Sequence, residues 1–170
     1  MNAIAQWSKL ARLGLLTYVV ISVVALASDQ QPTSKPKGES AVRLLISRWS
    51  EAYEALDATR LVALETPDVQ VVDRFGVLHR PSGRSDNEKL WSDSFEVVAR
   101  NAAPPIITIE GIRFLRPDVA LVQASSRFTK GISLVDGDRI PPFSQTDTFV
   151  VMKSQGRWLI AAHNMQEQRP

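Results

Sequence analysis

Apolar residues at Val42, Leu45, Ile46, Trp49, Tyr53 and Leu56 recur at spacings of three and four, which predicts an amphipathic helix over Glu39–Leu56. Asp57 stands where an N-cap would start a second, short helix, Ala58–Leu64. Pro67-Asp68 then breaks the pattern. Val69–Asp73 reads as a short strand, and Val77-Leu78-His79 as its return after the turn Arg74-Phe75-Gly76. A second long helix, Asp86–Ala99, carries Leu90, Trp91, Phe95 and Val98 on one side, and Pro104-Pro105 prevents it from continuing.

Beyond those prolines the period falls to two. Ile106–Leu115 and Val119–Thr129 alternate as strands joined through Pro117-Asp118, which sets Glu110 opposite Ser125 and diagonal to Arg127. Gly131–Pro142 reads as a long loop. Thr146–Asn164 then forms the hairpin that organises the chain, its apolar runs Phe149–Met152 and Trp158–Ala162 flanking Gln155-Gly156. With a two-residue loop there, Asp147 pairs with Asn164 and Thr148 with His163. Asp147 and Asn164 then share a face with Phe149, Val151, Trp158, Ile160 and Ala162. His163 falls on the opposite face, which disfavours a His–Asp pair. Both arms are apolar on both sides, so the outer face suits a contact with a second copy, a homodimer. Helices in the first half and antiparallel strands in the second define an α+β domain, with the sheet bent around the helices on its concave face.

Upstream of this domain, Lys9 and Arg12 precede the apolar run Leu13–Ala27, which closes on Ala25-Leu26-Ala27. That is the form of a signal peptide over residues 1–27, cleaved after Ala27, or of an uncleaved anchor. The run is shorter than the roughly 20 residues of a spanning helix. Residues 28–38, polar with two prolines, read as a disordered linker, and residues 167–170 as a tail. The folded part is therefore expected outside the cytoplasm, periplasmic or extracellular, with membrane contact only through an uncleaved N-terminal segment.

The remaining composition mostly excludes. The net charge of +2 comes from Lys9 and Arg12, and without them basic and acidic residues balance. No basic patch with interleaved aromatics is present, so nucleic acid is not an expected partner. There is no cysteine, hence no disulfide and no thiolate metal site. His79 and His163 are the only histidines and have no carboxylate at ligand spacing, so no metal is expected. No Gly-rich phosphate loop or dinucleotide fingerprint calls for a cofactor.

The segments SRWSEAYEALDATRLVAL, VQVVDRFG, IEGIRFLRPDVALV and DTFVVMKSQGRWLIAAHN resemble the nuclear transport factor 2-like superfamily. Within it they resemble most the SnoaL-like group and its SgcJ/EcaC-type members, over Glu39–Gln166. The resemblance implies a cone-shaped α+β barrel enclosing one pocket, commonly as a dimer. Two positions depart from the subgroup: Met165 stands where Thr often follows Asn, and Leu159 where a basic residue often follows Trp. The scaffold hosts isomerases, cyclases, dehydratases, epoxide hydrolases and non-catalytic binders, so the resemblance names no reaction.

Pocket chemistry in such proteins rests on a buried carboxylate among Tyr, Trp, His or Asn. Asp73 and Asp147 are the candidates for a general base, because a carboxylate in apolar surroundings has a raised pKa. Asp73 reads equally well as a turn residue capping Phe75-Gly76, and Asp147 as one half of a structural pair with Asn164. Trp49, Tyr53, Trp91, Phe149 and Asn164 are the candidate ligand-binding residues, the aromatics serving as pocket lining or as plain core. Glu110 and Arg127 read as a cross-strand pair, inside the cone or on the outer face. The expected function is an exported domain holding a small apolar or amphipathic molecule. The alternatives are a cofactor-independent enzyme with a pocket Asp as base, and a protein-interaction domain using the outer sheet face.

Overall fold

The structure is a computed structural model, and it describes residues 38–168. The expected signal or anchor segment, and all of the linker except Gly38, lie outside the described residues. The elements follow in the order α1 (Glu39–Glu54), α2 (Ala58–Val62), β1 (Glu65–Val72), β2 (Leu78–His79), α3 (Arg84–Glu96), β3 (Ile106–Arg116), β4 (Val119–Phe128), β5 (Ile132–Ser133), β6 (Arg139–Ile140), β7 (Phe143–Ser154) and β8 (Arg157–Gln168).

The apolar stripe of α1 buries Val42, Leu45, Ile46, Trp49 and Ala52. The helix is ended by Leu56, whose φ of 53° is left-handed. The amides of Asp57 and Leu56 turn back to the carbonyls of Ala52 and Tyr53, at 2.9 and 3.0 Å. Asp57 at once caps α2, its carboxylate accepting from the Arg60 amide at 2.9 Å. This compact joint lets α2 pack on both α1 and α3.

Six strands form one curved open sheet in the order β2-β1-β8-β7-β4-β3. The class is α+β and the shape a cone, as the sequence predicts, with two differences. The sheet does not close into a barrel. It is also mixed, because β1 runs parallel to β8. β1 begins at Glu65, before Pro67, and its register with β8 shifts between Glu65 and Gln70. Proline donates no hydrogen bond, so Pro67 interrupts the ladder without ending the strand. The expected loop after β4 contains a separate two-stranded hairpin, β5–β6.

Gln155 and Gly156 do form the two-residue loop of the β7–β8 hairpin, with Ser154 opposite Arg157 and Val151 opposite Ile160. The register then shifts. Val150 faces Ala162, so Ala161 is an extra residue, a β-bulge. Every residue of β8 beyond it changes face relative to an unbroken ladder. Pro117-Asp118 likewise joins β3 to β4 with Arg116 opposite Val119, and β3 has bulges at Glu110 and Leu115. Together the two bulges place Thr108 opposite Ser125, while the Glu110 carboxylate still accepts from the Ser125 hydroxyl at 2.6 Å.

The core lies between the concave face and the helices. It joins the α1 stripe to Leu61 and Val62 of α2, Trp91 and Phe95 of α3, and the inward residues of β1, β4, β7 and β8. At one end of the sheet Phe114 meets Trp158 edge-on; at the other Phe128 stacks on Phe143 with centroids 4.3 Å apart. The second end, where Leu56 closes α1, is called the mouth below.

Gln155 holds φ at 48° and Gly156 at 81°, the left-handed pair that this hairpin loop needs. Asparagine tolerates that conformation better than glutamine. Gln155→Asn is therefore expected to raise unfolding stability by about 0.5 kcal/mol, read from the urea midpoint at constant m-value.

Candidate functional site

Of the two readings open for the aromatic side chains, pocket lining or plain core, Trp49, Trp91 and Phe149 take the second. Trp49, Trp91 and Phe149 are buried, and Trp49 is their hub. Its ring stacks on Tyr53 at 5.3 Å and meets Trp91, Phe149 and His163 edge-on at 6.0, 5.3 and 4.9 Å. His163 in turn stacks on Phe149 at 4.2 Å.

Two carboxylates are buried around this hub. The first is Asp147, an expected candidate with an unexpected partner. The bulge at Ala161 places Asp147 opposite Met165 and Thr148 opposite Asn164, and it turns His163 inward opposite Phe149. The predicted Asp147–Asn164 face is therefore corrected. Asn164 points outward and is exposed, beside Thr146 and Arg74 along an open groove. The pair that was disfavoured is formed: His163 Nε2 lies 3.0 Å from Asp147 Oδ1. Gln145 donates to the same oxygen at 2.9 Å, and the Ser126 hydroxyl donates to Oδ2 at 2.5 Å. Among the described residues, the buried His163 Nδ1 has no hydrogen-bond partner. The Nε2–H tautomer suits this geometry, because it gives Asp147 a donor and leaves only a lone pair bare.

The second carboxylate, Glu65, carried no signal in the hydrophobic pattern. It is fully buried at the start of β1. Trp49 Nε1 donates to Oε1 at 3.2 Å, and Asn87 Nδ2 and Trp91 Nε1 donate to Oε2 at 2.6 and 3.2 Å. Burial raises its pKa above the ordinary range, against the lowering pull of Asn87, Trp49, His163 and Trp91. The clue available was chemical: two buried indoles on separate helices each need an acceptor for their N–H.

Asp73 sits outside the core at the end of β1. Its Oδ1 accepts from the amides of Phe75 and Val77, both at 2.9 Å, and its Oδ2 lies 3.0 Å from His79 Nε2. Its partial burial acts to raise the pKa, but His79 and the two amides outweigh it and hold the carboxyl below the ordinary range. These contacts are those of a turn cap. Arg127 is exposed, and the Glu110 carboxylate accepts from Ser125. Among the described residues, no three His, Asp or Glu side chains gather in a way that could hold a metal ion.

Tyr53 alone of the four predicted aromatics reaches a cleft. At the mouth, Tyr53, Leu56, Val98, Pro104, Phe128 and Ile132 line a narrow space of about 40 Å³, with Glu54 and Arg100 also bordering it. Burial pushes the Tyr53 phenol up to about 12, with the Asp147 charge adding to the rise and Arg74 opposing it. At neutral pH it is a protonated donor among the residues that line the cleft.

This architecture recurs among solved structures. A ketosteroid isomerase-like protein from Erwinia carotovora atroseptica SCRI1043 matches with a TM-score of 0.69 at 16% identity, over 79% of this chain and 98% of that one. A cystatin-like-fold protein from Caulobacter vibrioides matches with 0.64 at 18% identity, over 78% and 91%. An NTF-2 like protein from Shewanella oneidensis MR-1 matches with 0.60 at 14% identity, over 76% and 99%. The fold is thus the nuclear transport factor 2-like cone. No family model and no curated protein matches the sequence.

Two measurements check the site. Asp147→Ala leaves the hydrogen-bonding groups of His163, Gln145 and Ser126 unmatched and is expected to cost about 3–5 kcal/mol in denaturant unfolding. The exposed Asn164→Ala change is expected to stay within about 0.5 kcal/mol. Glu65 gives a pH signature. Its folded pKa lies above the ordinary 4.5, so the folded domain retains a proton that the unfolded chain releases. The resulting stability is complete below that ordinary value and is lost as pH rises through the folded pKa. Glu65→Gln cannot titrate, so its unfolding free energy is expected to lose this pH dependence in parallel urea titrations.

Proposed function

We propose that this domain holds a small apolar or amphipathic molecule at the mouth of the cone, after export and as a homodimer. One observation carries the reading: apolar side chains and the protonated Tyr53 phenol meet at a cleft in an otherwise filled interior. Apolar side chains with a few polar groups, here Tyr53, Glu54 and Arg100, are the usual character of a small-molecule site. The SnoaL-like assignment within the fold class belongs to this proposal and rests on the sequence segments quoted above.

The dimer has support on the convex side. Leu121, Val150 and Ala162 form one row across β4, β7 and β8, next to the exposed Met152. The export reading rests on Lys9, Arg12, the apolar run and Ala25-Leu26-Ala27.

A second reading, a cofactor-independent acid–base enzyme, is favoured by the His163–Asp147 pair. A carboxylate that orients an imidazole whose other nitrogen is bare resembles an oriented general base. The two side chains are 0% and 2% exposed, so substrate would have to open the core to reach them.

Mass spectrometry of the protein recovered from its own compartment, under native and denaturing conditions, tests the proposal. The expected result is a chain beginning at Ser28, a mass of two protomers, and a small molecule released on denaturation. A ligand-free protein that also takes up no apolar compound on incubation would overturn the binding reading. A native monomer would overturn the dimer, and an intact Met1 in the membrane fraction would overturn cleavage.

A further inference from the structure

The cleft over Tyr53, about 40 Å³, has room for a few water molecules but not for a ligand of the size that pockets of roughly 300–1,000 Å³ accept. Something at the mouth must therefore move if the proposed binding is real. The trunk of the sheet is a poor candidate, because β7 is paired along its length with β4 and β8. The β5–β6 hairpin is different. It stands apart from the six-stranded sheet, and its Ile132 lines the cleft.

Two backbone bonds fasten this hairpin to the chain that follows α3. The Ala99 amide donates to Ser133 at 2.9 Å, and the Val135 amide donates to Val97 at 3.1 Å. These bonds bracket the bridge Val98–Leu134. The residues around them are lightly covered, with Val135 65% and Val97 53% exposed. Few buried contacts and solvent-facing backbone bonds are the marks of a segment that opens locally without global unfolding.

Both ends of the hairpin have distinctive backbone. Gly131 has a φ of +65°, and a Cβ placed on it would lie 2.0 Å from the Ile140 carbonyl oxygen. Only glycine lets β5 fold back this tightly against the exit of β6. Pro141-Pro142 forms that exit and fixes the direction in which β7 begins.

We propose that the β5–β6 hairpin is a flap, which swings off Val97–Ala99 about Gly131 and Pro141-Pro142 to admit the molecule that the cone holds. The inference rests on the binding reading given above and adds its gate. Opening withdraws Ile132 from the lining and exposes Tyr53 and Phe128. Closing restores the two backbone bonds and seals the occupant.

The absence of cysteine makes the test clean. Val98 and Leu134 form a non-hydrogen-bonded antiparallel pair, whose Cα separation of about 4.5 Å falls in the range a disulfide spans. Val98→Cys with Leu134→Cys therefore gives a flap that oxidation locks and reduction frees. The probe is 1-anilinonaphthalene-8-sulfonate, followed by its fluorescence rise in stopped flow. The oxidised variant is expected to bind at least about tenfold more slowly than the reduced form of the same variant. Equal rates in the oxidised and reduced forms would overturn the flap.

Hydrogen exchange on the unsubstituted protein needs neither variant nor probe. The Ala99 and Val135 amides are expected to exchange at least about a hundredfold faster than Ile160, whose amide bonds Leu64. Equal protection would overturn the flap even if the probe binds. If the probe fails to bind the unsubstituted protein, the binding reading loses its support, and the exchange rates alone decide the flap.

Discussion

One extra residue in β8 decides what the inside of this protein is. Without the bulge at Ala161, the inward positions beyond it would be Ala162 and Asn164, and His163 would face outward. With it, the imidazole enters the core, meets Asp147 and packs between Phe149 and Trp49. A carboxylate buried this deeply needs donors, and a carboxamide at the strand margin would not supply the same set. Ser126, Gln145 and His163 do so from three adjacent strands.

From there a polar seam runs through an otherwise apolar interior. The Trp49 ring meets His163, which pairs with Asp147, and its N–H bonds Glu65, which also accepts from Asn87 and Trp91. Trp49 joins the halves, giving its face and edges to aromatic packing and its N–H to Glu65. Directional bonds of this kind select one packing of the helices on the sheet, which apolar contacts alone would leave looser. The same seam reaches the mouth electrostatically, since the Asp147 charge helps keep Tyr53 protonated.

Much of the scaffold was legible in the sequence because it is set locally. The α1 stripe, the Asp57 cap and both two-residue loops follow from spacing and turn chemistry, whereas α3 ends at Glu96, well before the expected stop at Pro104-Pro105. Register is also local until a bulge intervenes: Val151 opposite Ile160 is predicted correctly, and Asp147 opposite Asn164 is not. Nothing in Leu159-Ile160-Ala161-Ala162 announces an insertion, because all four residues suit either face. The parallel pairing of β1 with β8 joins segments far apart in the chain, where no turn signal can act. Glu65 escaped notice because an acid just before a proline reads as loop, and its three donors come from α1 and α3.

The bulges of β3 bear on how this molecule meets others. The strand is eleven residues long and lies at the margin of the sheet, a length that would ordinarily offer a template for a foreign strand. Glu110 and Leu115 each break its ladder, and Pro104-Pro105 and Pro117 guard its two ends. Such a margin resists edge-to-edge growth into fibrils or mixed aggregates.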